Sequence, residues 1–317
     1  MKVAGLGAGA LGGYFGGRLA AAGHNVTLIA RGAHLAAIRA DGLRILSPRG
    51  DLHLPGIGAT DDPAAVGPVD AILFMVKTYD LEHAAEAIRP MLGPETFVVT
   101  CQNGVSAPER LAAAIGPERV VPGVARIPGE VAQPGVIRHT APLDILIFGE
   151  AAGGVSARCE RLAAALNDAG MTPKAHPAIR HELWSKMISQ AMLASLTALT
   201  RLDLGPLRET LQTRQLMTDA MEEAAAVGRA EVPDLPDDLI AANWAFLDGL
   251  PREMHASMLD DLRNGKRLEV DHLSGDIVRL GRRHGIPTPI HFTFWAALKP
   301  YADGPVAAPR PDGAPVP

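Results

Sequence analysis

Gly7-Ala8-Gly9-Ala10-Leu11-Gly12 sets glycines at G-x-G-x-x-G spacing, directly after an apolar run at residues 3–6 and at the head of a helical stretch at residues 10–22. In that setting Gly7 allows a tight turn, Gly9 lets backbone approach a pyrophosphate, and Gly12 lets helix and strand pack closely. The helix N-terminus then presents N–H groups and a positive dipole end to phosphates. Alone the hexapeptide is a common glycine turn; with the first strand before it and a second at residues 26–30 it reads as a dinucleotide site. The second strand runs into Arg31, where a site for a free ribose 2′-hydroxyl usually carries a carboxylate. A guanidinium suits a 2′-phosphate by charge and by its forked donors, so NADP(H) is the expected cofactor; a solvated surface arginine is the alternative. Lys77, after the apolar run at 71–76, and Asn103, in Cys101-Gln102-Asn103-Gly104, follow two further strands. Ligands of open α/β sheets bind beyond the strands' carboxyl ends, so each either faces the cofactor or is a simple turn residue.

The elements that must position these groups alternate along the first half. Strand-like runs at residues 3–6, 26–30, 71–76, 97–101 and 120–124 are separated by helical stretches at 10–22, 81–91 and 108–115. Such alternation predicts parallel strands joined by crossover helices, a doubly wound α/β domain. Residues 136–140 and 145–148 have no helix between them and read as a hairpin-type addition at the sheet edge. From residue 177 the pattern is helical throughout, at 179–199, 212–230, 237–247, 257–263 and 270–284, with turn signals between. The expected organisation is a nucleotide-binding domain over residues 1–176, an all-α domain over 177–302, and a disordered Pro-, Ala- and Gly-rich tail at 303–317.

Composition excludes several classes of function. The 317 residues carry 30 basic and 35 acidic side chains, a net charge of −5, which disfavours a phosphate backbone as the main partner. Aromatic residues at 4% leave little for stacking on single-stranded nucleic acid. No apolar run approaches the ~20 residues of a membrane span, and the chain enters its first strand too early for a signal peptide. Cys101 and Cys159 form no disulfide framework, and no histidine pair has metal-ligand spacing, so a cytoplasmic, metal-free protein is expected.

With those residues in view, the chain resembles the ketopantoate reductases (2-dehydropantoate 2-reductases) from Met1 to about Tyr301. The resemblance is carried by GLGAGALGGYFGGRLAAAGHNVTLIAR, MVKTYD, CQNGV, WSKMISQAMLASLTALT, and SMLDDLRNGKRLEVDHLSGDIVRLGRRHGIPTP. It implies a Rossmann domain followed by a helical substrate and dimerisation domain. It further implies that Lys186 is the catalytic lysine that protonates the carbonyl oxygen, and that Glu269 holds substrate hydroxyls and supports that lysine. Asn103 matches the asparagine between nicotinamide and substrate, Lys77 a lysine near the cofactor, and Ser257 a serine that contacts the substrate carboxylate. The chemistry is sensible without the family: hydride addition builds negative charge on oxygen, which a nearby ammonium can stabilise and quench.

One departure stands out. Where the resemblance implies asparagines at i+4 and i+8 from the lysine, this chain has Gln190 and Ala194. At helical spacing both share the lysine's face and are expected to point into the same pocket. Gln190 keeps an amide for substrate binding, Ala194 removes the hydrogen-bonding group, and Ser195 points about 100° away. The expected function is NADPH-dependent reduction of a small 2-oxo acid, foremost 2-dehydropantoate to pantoate. The alternatives are another branched or hydroxylated 2-oxo acid, or a non-catalytic NADP(H)-sensing protein. A homodimer is the assembly this architecture implies, with no nucleic-acid or membrane partner.

Overall fold

A computed structural model describes residues 1–306. The chain divides into two packed units, Met1–Gln102 with Ser106–Leu183, and Asn103–Val105 with the chain from Trp184 onward. The fold class is the one expected: an α/β unit with a mainly parallel sheet, then an all-helical unit. Of the tail expected at 303–317, residues from 307 lie outside the described residues. Residues 303–306 are in place, with the Gly304 N–H donating to the Tyr301 carbonyl and Arg267 reaching Asp303 at 3.6 Å.

The strands of the first unit are β1 Lys2–Leu6, β2 Asn25–Ile29, β3 Leu43–Leu46, β4 Leu52–Leu54, β5 Gly58–Thr60 and β6 Val69–Phe74. They continue with β7 Leu92–Thr100, β8 Val120–Arg126, β9 Gly129–Gln133, β10 Val136–His139, β11 Ile145–Phe148 and β12 Thr172–Ala175. Its helices are α1 Ala10–Ala21, α2 Gly32–Asp41, α3 Leu81–Ala87, α4 Ala107–Ile115 and α5 Ala157–Asp168. An eight-stranded sheet runs β12-β11-β8-β7-β6-β1-β2-β5, parallel except where β11 meets β8. Alternate residues of its central strands enter opposite cores, as period-two side chains must. Val3, Ala71, Leu73 and Val99 pack with α1 and α5, while Ala4, Ile72, Phe74 and Val98 pack with α3 and α4.

The expected hairpin is not formed. β10 belongs to a second, four-stranded sheet, β4-β3-β10-β9, pairing parallel with β3 and antiparallel with β9. β11 joins the large sheet beside β8. Absence of a helix between two runs is compatible with a change of sheet as well as with a hairpin, and β3 lies too far back in sequence for local reading to find it.

Helix α1 fits against both sheets because it lacks side chains where they approach. A Cβ at Gly16 would lie 2.7 Å from Leu28 of the large sheet; at Gly13 and Gly17 it would lie 2.8 Å and 2.5 Å from Ile137 and Ile45 of the small one. At Gly12 it would stand 2.3 Å from the Gly7 carbonyl oxygen, a backbone atom that cannot yield.

The second unit comprises α6 Ile179–Thr200, whose first turn groups with the first unit, then α7 Leu204–Glu209, α8 Leu211–Glu231, α9 Leu239–Asp248, α10 Ser257–Arg263, α11 Ser274–His284 and α12 Pro289–Leu298. α6 is buried almost all round from Met187 to Ala198, which marks it as the central helix. Trp184 packs flat against Gly228 of α8, where a Cβ would lie 2.9 Å from the indole. A buried polar chain crosses this core. The His291 Nε2–H donates to the Ala220 carbonyl (2.9 Å), so its Nδ1 accepts from the Ser274 hydroxyl (3.0 Å), which accepts from Ser195 (2.8 Å). Among the described residues no helix is long and apolar enough to cross a membrane.

Gly12→Ala is expected to cost about 2 kcal/mol or more, while Gly9→Ala, with nothing within 4 Å of its Cβ, costs less than about 1 kcal/mol. Urea midpoints at unchanged m-value measure both. Burial pushes the His291 pKa down from 6.5 to about 4. The unfolded chain therefore binds a proton below pH 6.5 that the folded protein refuses until about 4. Stability contributed by this group is present above pH 6.5 and falls by roughly 3 kcal/mol as pH drops through that window. His291→Gln should flatten that part of the urea midpoint against pH.

Candidate active site

In the first unit, the groups expected around a nucleotide stand at the carboxyl edge of the parallel strands. Gly7, directly after β1, has φ +87°, and a Cβ there would lie 3.0 Å from the Met75 carbonyl group, so the turn passes tightly over the loop that follows β6. The Gly7 and Ala8 N–H groups donate to the Ile29 carbonyl at the end of β2. Gly9 is exposed and opens onto free space. It is the N-cap of α1, whose first turn has neither a side-chain cap nor an acidic residue. The first helical bond runs from the Gly13 N–H to the Gly9 carbonyl, so the preceding amides of α1 are not spent within the helix. Uncapped N–H groups beside open space, with no carboxylate to compete, fit an anionic pyrophosphate.

Arg31 follows β2 as the exposed N-cap of α2, in extended conformation. Lys77 is half-buried three residues beyond β6, at the N-cap of the short 3-10 turn Thr78–Asp80. Sequence reading passed over Gln102, which secures that loop. Its buried amide donates to the carbonyls of Phe74 (2.7 Å) and Val76 (3.2 Å), tying the ends of β6 and β7 together. The signal was present in the CQNGV motif: an amide at the end of a central strand, with its neighbours' edges still to be satisfied.

In the second unit, the structure brings three expected residues together. Lys186, half-buried on α6, donates from Nζ to Asn103 Oδ1 at 3.0 Å. Asn103 donates from Nδ2 to Glu269 Oε2 at 3.2 Å. Glu269 is 4% exposed, at the N-cap of the 3-10 turn Val270–His272. The amide orientation follows from its partners, since only the carbonyl end can accept from an ammonium and only the NH₂ end can donate to a carboxylate. Gly104, unremarked in the sequence reading, makes this geometry accessible. It has φ +97°, and a Cβ would lie 2.5 Å from the His272 carbonyl oxygen, so only glycine lets this loop close on that turn.

Gln190 is half-buried one turn beyond Lys186, consistent with the shared helix face. Ala194 is fully buried within the helical core, so the expectation that it points into an open pocket is corrected: that face of α6 passes under neighbouring helices within two turns. Ser195 is committed to Ser274, as its different direction on the helix implied. Ser257 is exposed at the first position of α10. The ammonium, amide and carboxylate can together hold a polarised oxygen and exchange a proton with it.

Comparison with known proteins gives consistent matches. Residues 3–153 match the family model described as ketopantoate reductase PanE/ApbA, and residues 178–302 match the model of its C-terminal part. The chain is 34% identical over 311 residues to a 2-dehydropantoate 2-reductase of Mesorhizobium japonicum, covering 91% of this chain and 94% of that protein. Among solved structures, it is similar to a PanE/ApbA family ketopantoate reductase from Ralstonia eutropha, with TM-score 0.87, 37% identity, and coverage of 95% and 98%. A 2-dehydropantoate 2-reductase from Geobacter metallireducens matches with TM-score 0.89, 29% identity, and coverage of 94% and 99%.

Proposed function

The chain belongs to the ketopantoate reductase PanE/ApbA family, and from that premise we propose that it reduces 2-dehydropantoate to pantoate with NADPH. The observation that carries this reading is the hydrogen-bonded line from Lys186 through Asn103 to Glu269. Relatives named 2-dehydropantoate 2-reductase support the substrate. The uncapped start of α1 beside Gly9 supports a dinucleotide, held with Gly7, Gly12 and Lys77, and Arg31 supports its 2′-phosphate.

A bound reduced nicotinamide supplies hydride to the C2 carbonyl carbon. Lys186 stabilises the negative charge that develops on the carbonyl oxygen and gives it the proton, leaving a neutral amine that solvent reprotonates. Asn103 holds the ammonium by its carbonyl end, and its attachment to Glu269 keeps the amide from turning. Glu269 accepts from substrate hydroxyls, Ser257 donates to the substrate carboxylate, and Gln190 offers its longer amide to the substrate.

A second reading keeps this chemistry but takes another branched or hydroxylated 2-oxo acid. It is favoured by Gln190, which presents a longer amide one turn beyond Lys186. A non-catalytic NADP(H)-sensing role is disfavoured, since sensing needs no lysine tied to a buried carboxylate. The same reading includes a homodimer in the cytoplasm.

With ketopantoate, NADPH oxidation is expected at kcat/KM above about 10⁴ M⁻¹s⁻¹, falling by roughly 10² or more in Lys186→Ala. Full activity in that variant would remove the lysine from the mechanism. Slow turnover with ketopantoate but fast turnover with another member of a 2-oxo acid panel would favour the second reading. Arg31→Asp is expected to raise KM for NADPH far more than for NADH, and equal effects on both would refute the 2′-phosphate assignment.

A further inference from the structure

The helical unit contains a basic cavity that the reductase chemistry does not use. At the C-terminal ends of α6 and α10, Arg201, Arg263 and Lys266 line a cavity of about 330 Å³, with Leu262, Tyr301 and Val306 in its walls. All three cationic residues are exposed, and among the described residues none is ion-paired with a carboxylate. The neighbouring Arg267, by contrast, reaches Asp303 at 3.6 Å. Like charges gathered without a counter-charge repel one another, and a bound anion removes that repulsion.

The backbone is arranged around this cluster. Arg201 directly follows α6 and has φ +57°, the one positive φ among the described non-glycine residues. Glycine is the usual residue at such a position, because an L side chain is disfavoured there. An arginine is nonetheless present, with its carbonyl accepting from the Arg263 guanidinium at 3.3 Å. Gly265, φ +62°, lies so close to Pro305 that a Cβ would stand 2.9 Å from its ring, which closes the turn against residues 305–306. Cations near helix C-termini also offset the carbonyl dipoles there, but that role requires neither a cavity nor a left-handed arginine.

We propose that this cavity binds a small organic molecule carrying a phosphate or pyrophosphate group. Two guanidinium forks and an ammonium match phosphate oxygens, and Leu262, Tyr301 and Val306 receive the organic part. The volume lies in the range of small-ligand sites. The cavity is separate from the lysine site: Lys186 and the end of α6 are roughly 20 Å apart at 1.5 Å per residue.

Calorimetric titration of the full chain with sodium pyrophosphate tests this, with NADPH kept saturating so that the glycine loop is covered. The expected result is one pyrophosphate site whose Kd rises roughly tenfold or more in both Arg201→Gly and Lys266→Gln. Because glycine is favoured at this φ, Arg201→Gly should keep or raise Tm, which separates lost binding from a folding defect. No heat with the wild-type chain, or unchanged affinity in both variants, would overturn the proposal. Binding that emerges only after truncation beyond Val306 would also overturn it, assigning the cavity to the chain's own terminal segment.

Discussion

A carboxylate taken out of water must find hydrogen bonds and compensating charge inside the protein, and Glu269 makes that demand on the helical unit. Uncompensated, its burial would cost several kcal/mol or force it to take up a proton. The Asn103 amide meets part of the need and also holds the Lys186 ammonium, so a neutral group joins two opposite charges in one line. Three chain segments far apart in sequence are thereby held to a common geometry. The absence of a side chain at Gly104 follows from the same demand, because the asparagine loop must close on the His272 carbonyl to reach Glu269.

The α/β unit solves its packing by removing atoms. Glycines on successive turns of α1 let it lie against two sheets at once, and Gly12 lets its first turn sit on the Gly7 carbonyl. The cost of so many glycines within a helix is offset by the contacts of a helix buried on both sides. The same tight turn leaves the N-terminal amides of α1 uncapped and uncontested by carboxylates, the local requirement for an anion site.

Helix α6 shows how a core element can hold a lysine in place. Between Trp184 and Ala198, only Ser185, Lys186 and Gln190 escape full burial. Lys186 thus stands at a short break in the burial of an otherwise enclosed helix, anchored by Trp184 against Gly228 on one side and by Ala194 in the core on the other. A long, flexible side chain gains a definite position when its backbone has no freedom to move.

Periodicity and turn chemistry, read from the chain alone, determined the alternating α/β half, the helical half, the glycine loop and the lengths of most long helices. These are local properties, set by side-chain spacing of two or 3.6 residues and by where glycine and proline stand. The lysine, asparagine and glutamate were legible as residues through the family resemblance, but their hydrogen-bonded order was not. Only the tertiary structure decided that β10 and β11 serve different sheets, that Asn103 packs with the helical unit, that Ala194 lies inside the core, and that Arg201, Arg263 and Lys266 surround one cavity. Each depends on which of many chemically similar segments meet across long stretches of chain, and that choice is made by packing of the whole unit, where short-range patterns carry no information.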